Sequence, residues 1–427
     1  MTDTAPGATA VGDRNVLLPW LFWAIGALFF CFSFFLRVSP SVMVQDLMRD
    51  FAVGGAVLGN LSAFYLYAYA GAQLPVGMLH DRFGPRRVLA GASLLCGVGC
   101  VLFASAPDLV QAYLGRALIG AGCAFAWIGT LKLVSVWFPP SRFAGIAGMT
   151  AMIGMAGALG GQAPLAYLVQ TVGWRGALFG GAGLAVLLAA VTWLLVRDRP
   201  LEVLPETERP RRAGSFQDVG LVLRNPHTWT CSLVVATVSV PLMTFAGLWG
   251  VPYMMAAHDL AKPAAAAANS MVMLGWGIGA PLTGWFSDHT RRRKPSLLAG
   301  AAIAYAAILA VVYVPDLPFA AALILLFVNG FAGSSCVVGF AAARELNPPE
   351  SSATTMAIVN MIPMGLSAAC QPLIGWLLDL HWTGGSIDGA RVYGIAAYHT
   401  AFLTLVGCAV VAVAAAISVR ETHCRAS

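Results

Sequence analysis

A short basic loop closes two long apolar runs that lie half a chain apart. Gly77-Met78-Leu79-His80-Asp81-Arg82-Phe83-Gly84-Pro85-Arg86-Arg87 ends one, and Gly284-Trp285-Phe286-Ser287-Asp288-His289-Thr290-Arg291-Arg292-Arg293-Lys294 ends the other. Asp81 and Asp288 are 207 residues apart in a chain of 427. A loop recurring at the same place in two halves points to a duplicated helical membrane unit.

Composition agrees. The chain is 59% hydrophobic and 10% charged, where a soluble domain carries roughly 25% charged residues. Many of its apolar stretches reach about 20 residues, enough to cross a bilayer as a helix. The alternation of a transmembrane barrel strand is absent. The net charge of +6 does not mark a nucleic-acid binder, because the basic residues sit in short loops and form no single face. The first 16 residues are polar, lack a basic n-region and precede no Ala-x-Ala-like site, so the following apolar run reads as a first span and not a cleaved signal. Eight of the nine cysteines fall within expected spans, where free thiols behave as small apolar residues.

The pattern predicts an all-α polytopic protein of twelve spans, near 17–44, 56–79, 87–106, 109–137, 143–168, 175–196, 227–256, 264–287, 296–315, 318–343, 351–379 and 396–419. Residues 1–16 form an N-terminal tail and 17–196 a first six-helix bundle. Residues 197–226 form a solvated linker with an amphipathic turn on the membrane. A second bundle covers 227–419 and a C-terminal tail 420–427. Basic residues crowd one side of this arrangement, and only Arg49, Arg175, Lys262 and Arg391 fall on the other. The positive-inside bias therefore sets both termini in the cytoplasm. The duplication echoes elsewhere: Pro139-Pro140-Ser141 recurs as Pro348-Pro349-Glu350-Ser351, and Gln162-Ala163-Pro164-Leu165 as Gln371-Pro372-Leu373, each 209 residues on.

Ionisable residues inside spans are functional candidates because burying them is costly. Arg37 lies in span 1, where Ser33, Arg37 and Ser41 form one polar stripe. It either faces a water-filled cavity or snorkels to the outer surface. Arg116 in span 4 shares a face with Gly120, Cys123, Trp127 and Thr130. It either binds a ligand or holds neighbouring helix carbonyls. Tyr65 in span 2, Trp249 and Tyr253 in span 7 and Asn360 in span 11 are the chosen neutral candidates, although such residues also serve as packing glue. No Asp or Glu stands in the middle of any span, which weakens proton coupling through a buried acid. The two arginines make a positive cavity suited to a carboxylate or other anion. No Gly-Lys phosphate loop and no His-Glu-x-x-His motif is present, so an ATP-driven pump and a zinc protease are both excluded.

The first loop resembles the Gly-x-Leu-x-Asp-Arg-x-Gly-Arg-Arg signature of the major facilitator superfamily. Gly77, Leu79, Asp81, Arg82, Gly84, Arg86 and Arg87 match, and Pro85 departs from it. The second loop keeps Gly284 and Asp288 but has Arg291 where the glycine falls. Gly115-Arg116-Ala117-Leu118-Ile119-Gly120-Ala121-Gly122 matches a second signature, an arginine followed by spaced glycines in span 4. The resemblance implies two pseudo-symmetric six-helix halves that move a small molecule by alternating access. It implies no enzyme activity, no cofactor and no metal. The partners expected are a small-molecule substrate and the lipid bilayer, with no nucleic acid and a monomer sufficing, in a bacterial inner (cell) membrane. It also implies gating residues at Asp81, Arg82, Arg86, Arg87 and Asp288, with Asp81 pairing a loop arginine or capping a facing helix. The first loop is expected to be the working latch and the second mainly a topology anchor. The substrate expected is an organic anion or carboxylate-bearing metabolite. A multidrug or metabolite exporter, a dipeptide or zwitterion carrier, and a non-transporting membrane sensor stand as alternatives. The exporter is disfavoured because only Gly160 and Gly161 remain of the span-5 glycine–proline pattern such proteins carry.

Overall fold

The computed structural model describes residues 17–198, 216–348 and 351–424. The expected N-terminal tail, most of the linker and the last residues of the C-terminal tail lie outside them. Twelve helical segments follow, labelled here α1 to α12. In the first half they are α1 (Leu17–Val38), α2 (Gly55–Phe83), α3 (Pro85–Ala104), α4 (Leu109–Trp137), α5 (Pro140–Gly160) and α6 (Ala163–Leu195). In the second they are α7 (Pro226–His258), α8 (Lys262–Thr290), α9 (Lys294–Tyr313), α10 (Phe319–Glu345), α11 (Ser352–Leu380) and α12 (Ile395–Ser418). Among the described residues ten helices are long and apolar enough to cross a bilayer, or up to eleven if the bent pair Val44–Phe51 and Gly55–Gln73 is one span. The twelfth segment is α8. It has 29 residues, but Asn269, Ser270, Ser287 and Asp288 dilute its hydropathy.

Local chemistry explains where the helices begin and break. The Asp108 side chain caps α4 by accepting from the Gln111 N–H at 2.9 Å, and Asn225 caps α7 through the His227 N–H. Proline opens α3, α7, α8 and α9 at positions where its missing N–H costs nothing. The α2–α3 turn is a single residue, Gly84, at φ 78°, which a side chain adopts only with strain. Gly173 at φ 74° sits inside α6, so that helix joins the end of the expected fifth span to the sixth. The α-register is lost at two places. After Val38 the chain tightens to a 3₁₀ turn over Ser39–Val42, containing Pro40. In α7, Pro241 cannot donate to the ladder, and Pro241–Trp249 is wound as a π-helix. Sequence periodicity gave no sign of either break. Within the expected linker, a helix covers Phe216–Arg224.

The end of the bundle away from the basic loops is zipped shut between the halves. The Asp379 carboxylate, at the end of α11, accepts from the Gly55 and Ala56 N–H groups at the start of α2, both at 2.9 Å. Arg391 at 2.9 Å and the Tyr393 hydroxyl at 2.6 Å complete its shell. Arg391 stands on a small hairpin, Ser386–Ile387 paired with Ala390–Arg391. Lys262 on α8 reaches Asp46 of the other half at 2.7 Å. The backbones of α2 and α11 touch here: a Cβ at Gly375 would collide with the Gly55 carbonyl. Toward the basic end they diverge, and a Cβ at Gly71, Gly77 or Gly365 would meet nothing within 4 Å.

Asp50, beside this seam, accepts from the Trp174 indole at 2.9 Å and pairs with Arg49 and Arg175. Partial burial pushes its pKa up, but these hydrogen bonds outweigh burial and hold it below the ordinary carboxyl range. A depressed native pKa gives stability that is present above the unfolded value of about 4 and lost as pH falls through the native one. Asp50→Asn should therefore melt lower than wild type at neutral pH, and the gap should close on acidification. A gap that is constant with pH would contradict this.

Candidate functional site

The central feature is a narrow cavity between the halves, lined from α1, α2, α4 and α5 on one side and α7, α8 and α11 on the other. Two arginines reach it. Arg37, near the end of α1, is 8% exposed, and Arg116 on α4 is 1% exposed. The Arg37 Nε donates to the Tyr65 hydroxyl at 3.4 Å, and its guanidinium lies 4.4 Å from the Phe34 ring centre and 4.8 Å from that of Tyr69. Aromatic faces attract a cation and fix its plane. The Arg37 terminal nitrogens make no hydrogen bond among the described residues.

Arg116 is spent differently. Its two terminal nitrogens donate to the Leu36 carbonyl at 3.2 Å and the Ser62 carbonyl at 3.4 Å, while its buried Nε has no partner among the described residues. It therefore holds helix carbonyls, one of the two roles its position in the sequence allows, and still lines the cavity. Its guanidinium lies 5.1 Å from the centre of the same Tyr65 ring that Arg37 approaches at 5.7 Å. Gly120, one turn along α4, makes this possible: a Cβ there would strike the Tyr65 backbone. Among the described residues neither arginine has a carboxylate within salt-bridge reach, and the cavity lining contains none.

Of the four neutral candidates, Trp249, Tyr253 and Asn360 fall off the lining. Tyr65 lines the cavity. Trp249 is fully buried off the lining and donates to the Gln371 carbonyl at 3.1 Å. Tyr253 packs against Phe245, Tyr398 and Phe402 and donates to the Val311 carbonyl at 2.9 Å, inside the second half. Asn360 is half-buried on α11 and off the lining. The repeated glutamines do more than mark the duplication. Gln162 donates to the Ala246 carbonyl at 3.3 Å and Gln371 to the Met243 carbonyl at 3.0 Å, so one glutamine from each half grips the π-helical stretch of α7. Asn269 donates to both Gln162 and Ala246.

A buried cationic cavity between two six-helix halves narrows the range of families, and the sequence pattern of the Major Facilitator Superfamily matches residues 23–369. The chain belongs to the Major Facilitator Superfamily. It is 25% identical to the membrane sensor protein UhpC of Salmonella typhimurium over 411 residues, 90% of each chain. It is 32% identical to the nitrate/nitrite transporter NrtP of Picosynechococcus over 111 residues, 26% of this chain and 21% of that one. The chain spans only 25%, 21% and 24% of the length of the first relatives it matches. A solved bacterial homologue of the human lysosomal transporter Spinster shares the fold, with a TM-score of 0.76 at 20% identity over 95% of this chain and 96% of that one.

The superfamily loop is anchored by a carboxylate the sequence reading left in the linker. Asp198, just after α6, accepts from the Arg86 N–H at 2.7 Å and so caps the start of α3. The Arg86 Nε donates to the Trp193 carbonyl at 2.7 Å. Arg82 is exposed over the Phe83 ring, Arg87 is exposed, and the Asp81 side chain lies outside the described residues. The second half repeats the device with Glu421, which accepts from the Arg293 and Lys294 N–H groups at 2.7 and 3.0 Å at the start of α9. Partial burial raises the Glu421 pKa, but these backbone donors outweigh it and leave the carboxyl below its ordinary range. Residues just past α12 are thus docked and are not a free tail. The second loop is also more than a topology anchor: Arg293 is 6% exposed and bridges Asp288 at 2.5 Å and Glu345 at 2.7 Å. Counting basic residues could not tell the buried Arg293 from its exposed neighbours Arg291 and Arg292.

Proposed function

We propose that this chain is a secondary transporter that moves a small organic anion by alternating access, with Arg37 as the principal anion ligand. One observation carries the reading: two buried guanidinium groups share a cavity between the halves and have no carboxylate partner there. A buried charge without a counter-charge is costly, and an anionic ligand relieves that cost. The relative named a nitrate/nitrite transporter is consistent with it. A dipeptide or other zwitterion fits less well, since its ammonium would find no acid in the lining. The basic end faces the cytoplasm of a cell-membrane protein by the positive-inside rule. The zipped far end then makes this the form closed to the outside.

A sensor is the second reading, favoured by the relative that matches over most of its length and carries that name. A sensor would bind the same anions without carrying them. The first test is a thermal-shift screen of the purified protein against organic acids, dipeptides and cationic drugs. A ligand that binds the native state raises the melting point by mass action. Acids should stabilise wild type and not Arg37→Ala. Stabilisation by cationic drugs alone, undiminished in Arg37→Ala, would sink the anion reading.

A further inference from the structure

An alternating-access carrier has to return after each delivery, and the charge in this cavity constrains the return. Two buried guanidinium groups line it, Arg37 and Arg116. The rest of the lining leaves both charges uncancelled. Arg37 lies among the Phe34, Tyr65 and Tyr69 rings, and among the described residues its terminal nitrogens make no hydrogen bond. Arg116 is held by the Leu36 and Ser62 carbonyls, and its buried Nε has no partner among the described residues. The polar lining residues Ser62, Tyr65 and Gln371 are uncharged. The Tyr65 hydroxyl accepts from the Arg37 Nε and donates to the Ser33 carbonyl, both at 3.4 Å. The Gln371 amide donates to the Met243 carbonyl at 3.0 Å. Such neutral groups orient a cation and leave its net charge in place. The lining also holds no Asp, Glu or His that could take up and release a proton. Every Asp and Glu of the chain lies within a turn of the end of a long helix or outside the long helices.

Between its two open forms the cavity passes through one sealed at both ends. The far end is already shut at the Asp379 seam, so closing the basic end completes the seal. With no anion inside, two cations would then be cut off from water and from any counter-charge, which is strongly unfavourable. An anion inside offsets their charge and makes the sealed form accessible. We propose that the protein is an obligate anion exchanger: the cavity crosses only when an anion occupies it, so each anion carried one way is matched by one carried back. Arg37 and Arg116 together block the empty return. This rests on the anion reading above and adds its coupling mode.

The test uses purified full-length protein in liposomes loaded either with an unlabelled acid or with sucrose at the same osmolarity. Labelled lactate, succinate, isethionate and gluconate are offered outside, each against the same acid inside. Liposomes carrying Arg37→Ala give the background leak. At least one acid should enter acid-loaded liposomes roughly tenfold or more faster than sucrose-loaded ones. An inward proton gradient or a potassium diffusion potential should leave entry into sucrose-loaded liposomes at background. Arg37-dependent entry into sucrose-loaded liposomes at a rate comparable to that into acid-loaded ones, with or without a gradient, would overturn exchange and leave the anion reading standing. No Arg37-dependent entry of any acid under any condition would overturn exchange and the transport reading together.

Discussion

Replacing Arg37 by alanine should abolish anion binding while leaving the protein folded and inserted. Arg37 gives the fold one hydrogen bond, to the Tyr65 hydroxyl, together with ring contacts. Its free nitrogens are therefore available to a ligand. Truncating one partner of a buried, hydrogen-bonded charge pair costs about 2–5 kcal/mol, roughly a 30-fold to several-thousand-fold loss of affinity. Arg37→Lys should fall between, because a point charge cannot reproduce the fork. Arg116→Ala should behave differently. It strips the donors from the Leu36 and Ser62 carbonyls, so it should lower the melting point as well as the affinity. Melting curves and ligand titrations on the three variants separate the two arginines. Equal affinity in wild type and Arg37→Ala would refute the assignment.

The second large effect is expected at the seam between α2 and α11. Asp379 accepts from two backbone N–H groups of the opposite half and is held by Arg391 and Tyr393. Asp379→Asn keeps the shape and removes the charge. A hydrogen bond to a charged group contributes about 1.5–3 kcal/mol, so losing even one should shift the equilibrium between closed and open far ends roughly 10- to 150-fold. Gly375→Leu should act in the same direction by sterics, since even a Cβ collides with the Gly55 carbonyl. Distances between spin labels placed at the tips of α2 and α11 should lengthen in both variants and stay short in wild type. Unchanged distances in both would show that this contact does not hold the far end shut.

The sequence exposed the architecture because apolar length, basic-loop spacing and charge asymmetry are all local properties of the chain. Arg37 and Arg116 stood out because an ionisable group in an apolar helix is costly wherever it points, and both line the cavity with Tyr65. It could not divide the labour between the arginines. That depends on which carbonyls happen to face Arg116, and those belong to α1 and α2. Trp249 and Tyr253 lie on α7 and were expected at the ligand site. The π-helical winding after Pro241 accompanies a different outcome, with both residues directed into packing and hydrogen bonds of the second half. Asp198 and Glu421 were invisible as helix caps because each lies far in sequence from the helix it caps. A faint sign was present: each is an acid placed just after the last span of its half. The matching glutamines were noticed as a repeat, and only the three-dimensional arrangement shows both on the carbonyls of one π-helical stretch.

The most direct test of the central claim is solute flux. Purified protein should be reconstituted into liposomes preloaded with a small unlabelled organic acid, and entry of the labelled acid followed over time. Wild type should exchange the label, other organic acids should compete, and Arg37→Ala incorporated to the same level should carry none. Binding of the acid without flux would make the protein a sensor. Flux of a neutral or cationic solute that organic acids do not inhibit would contradict the account outright.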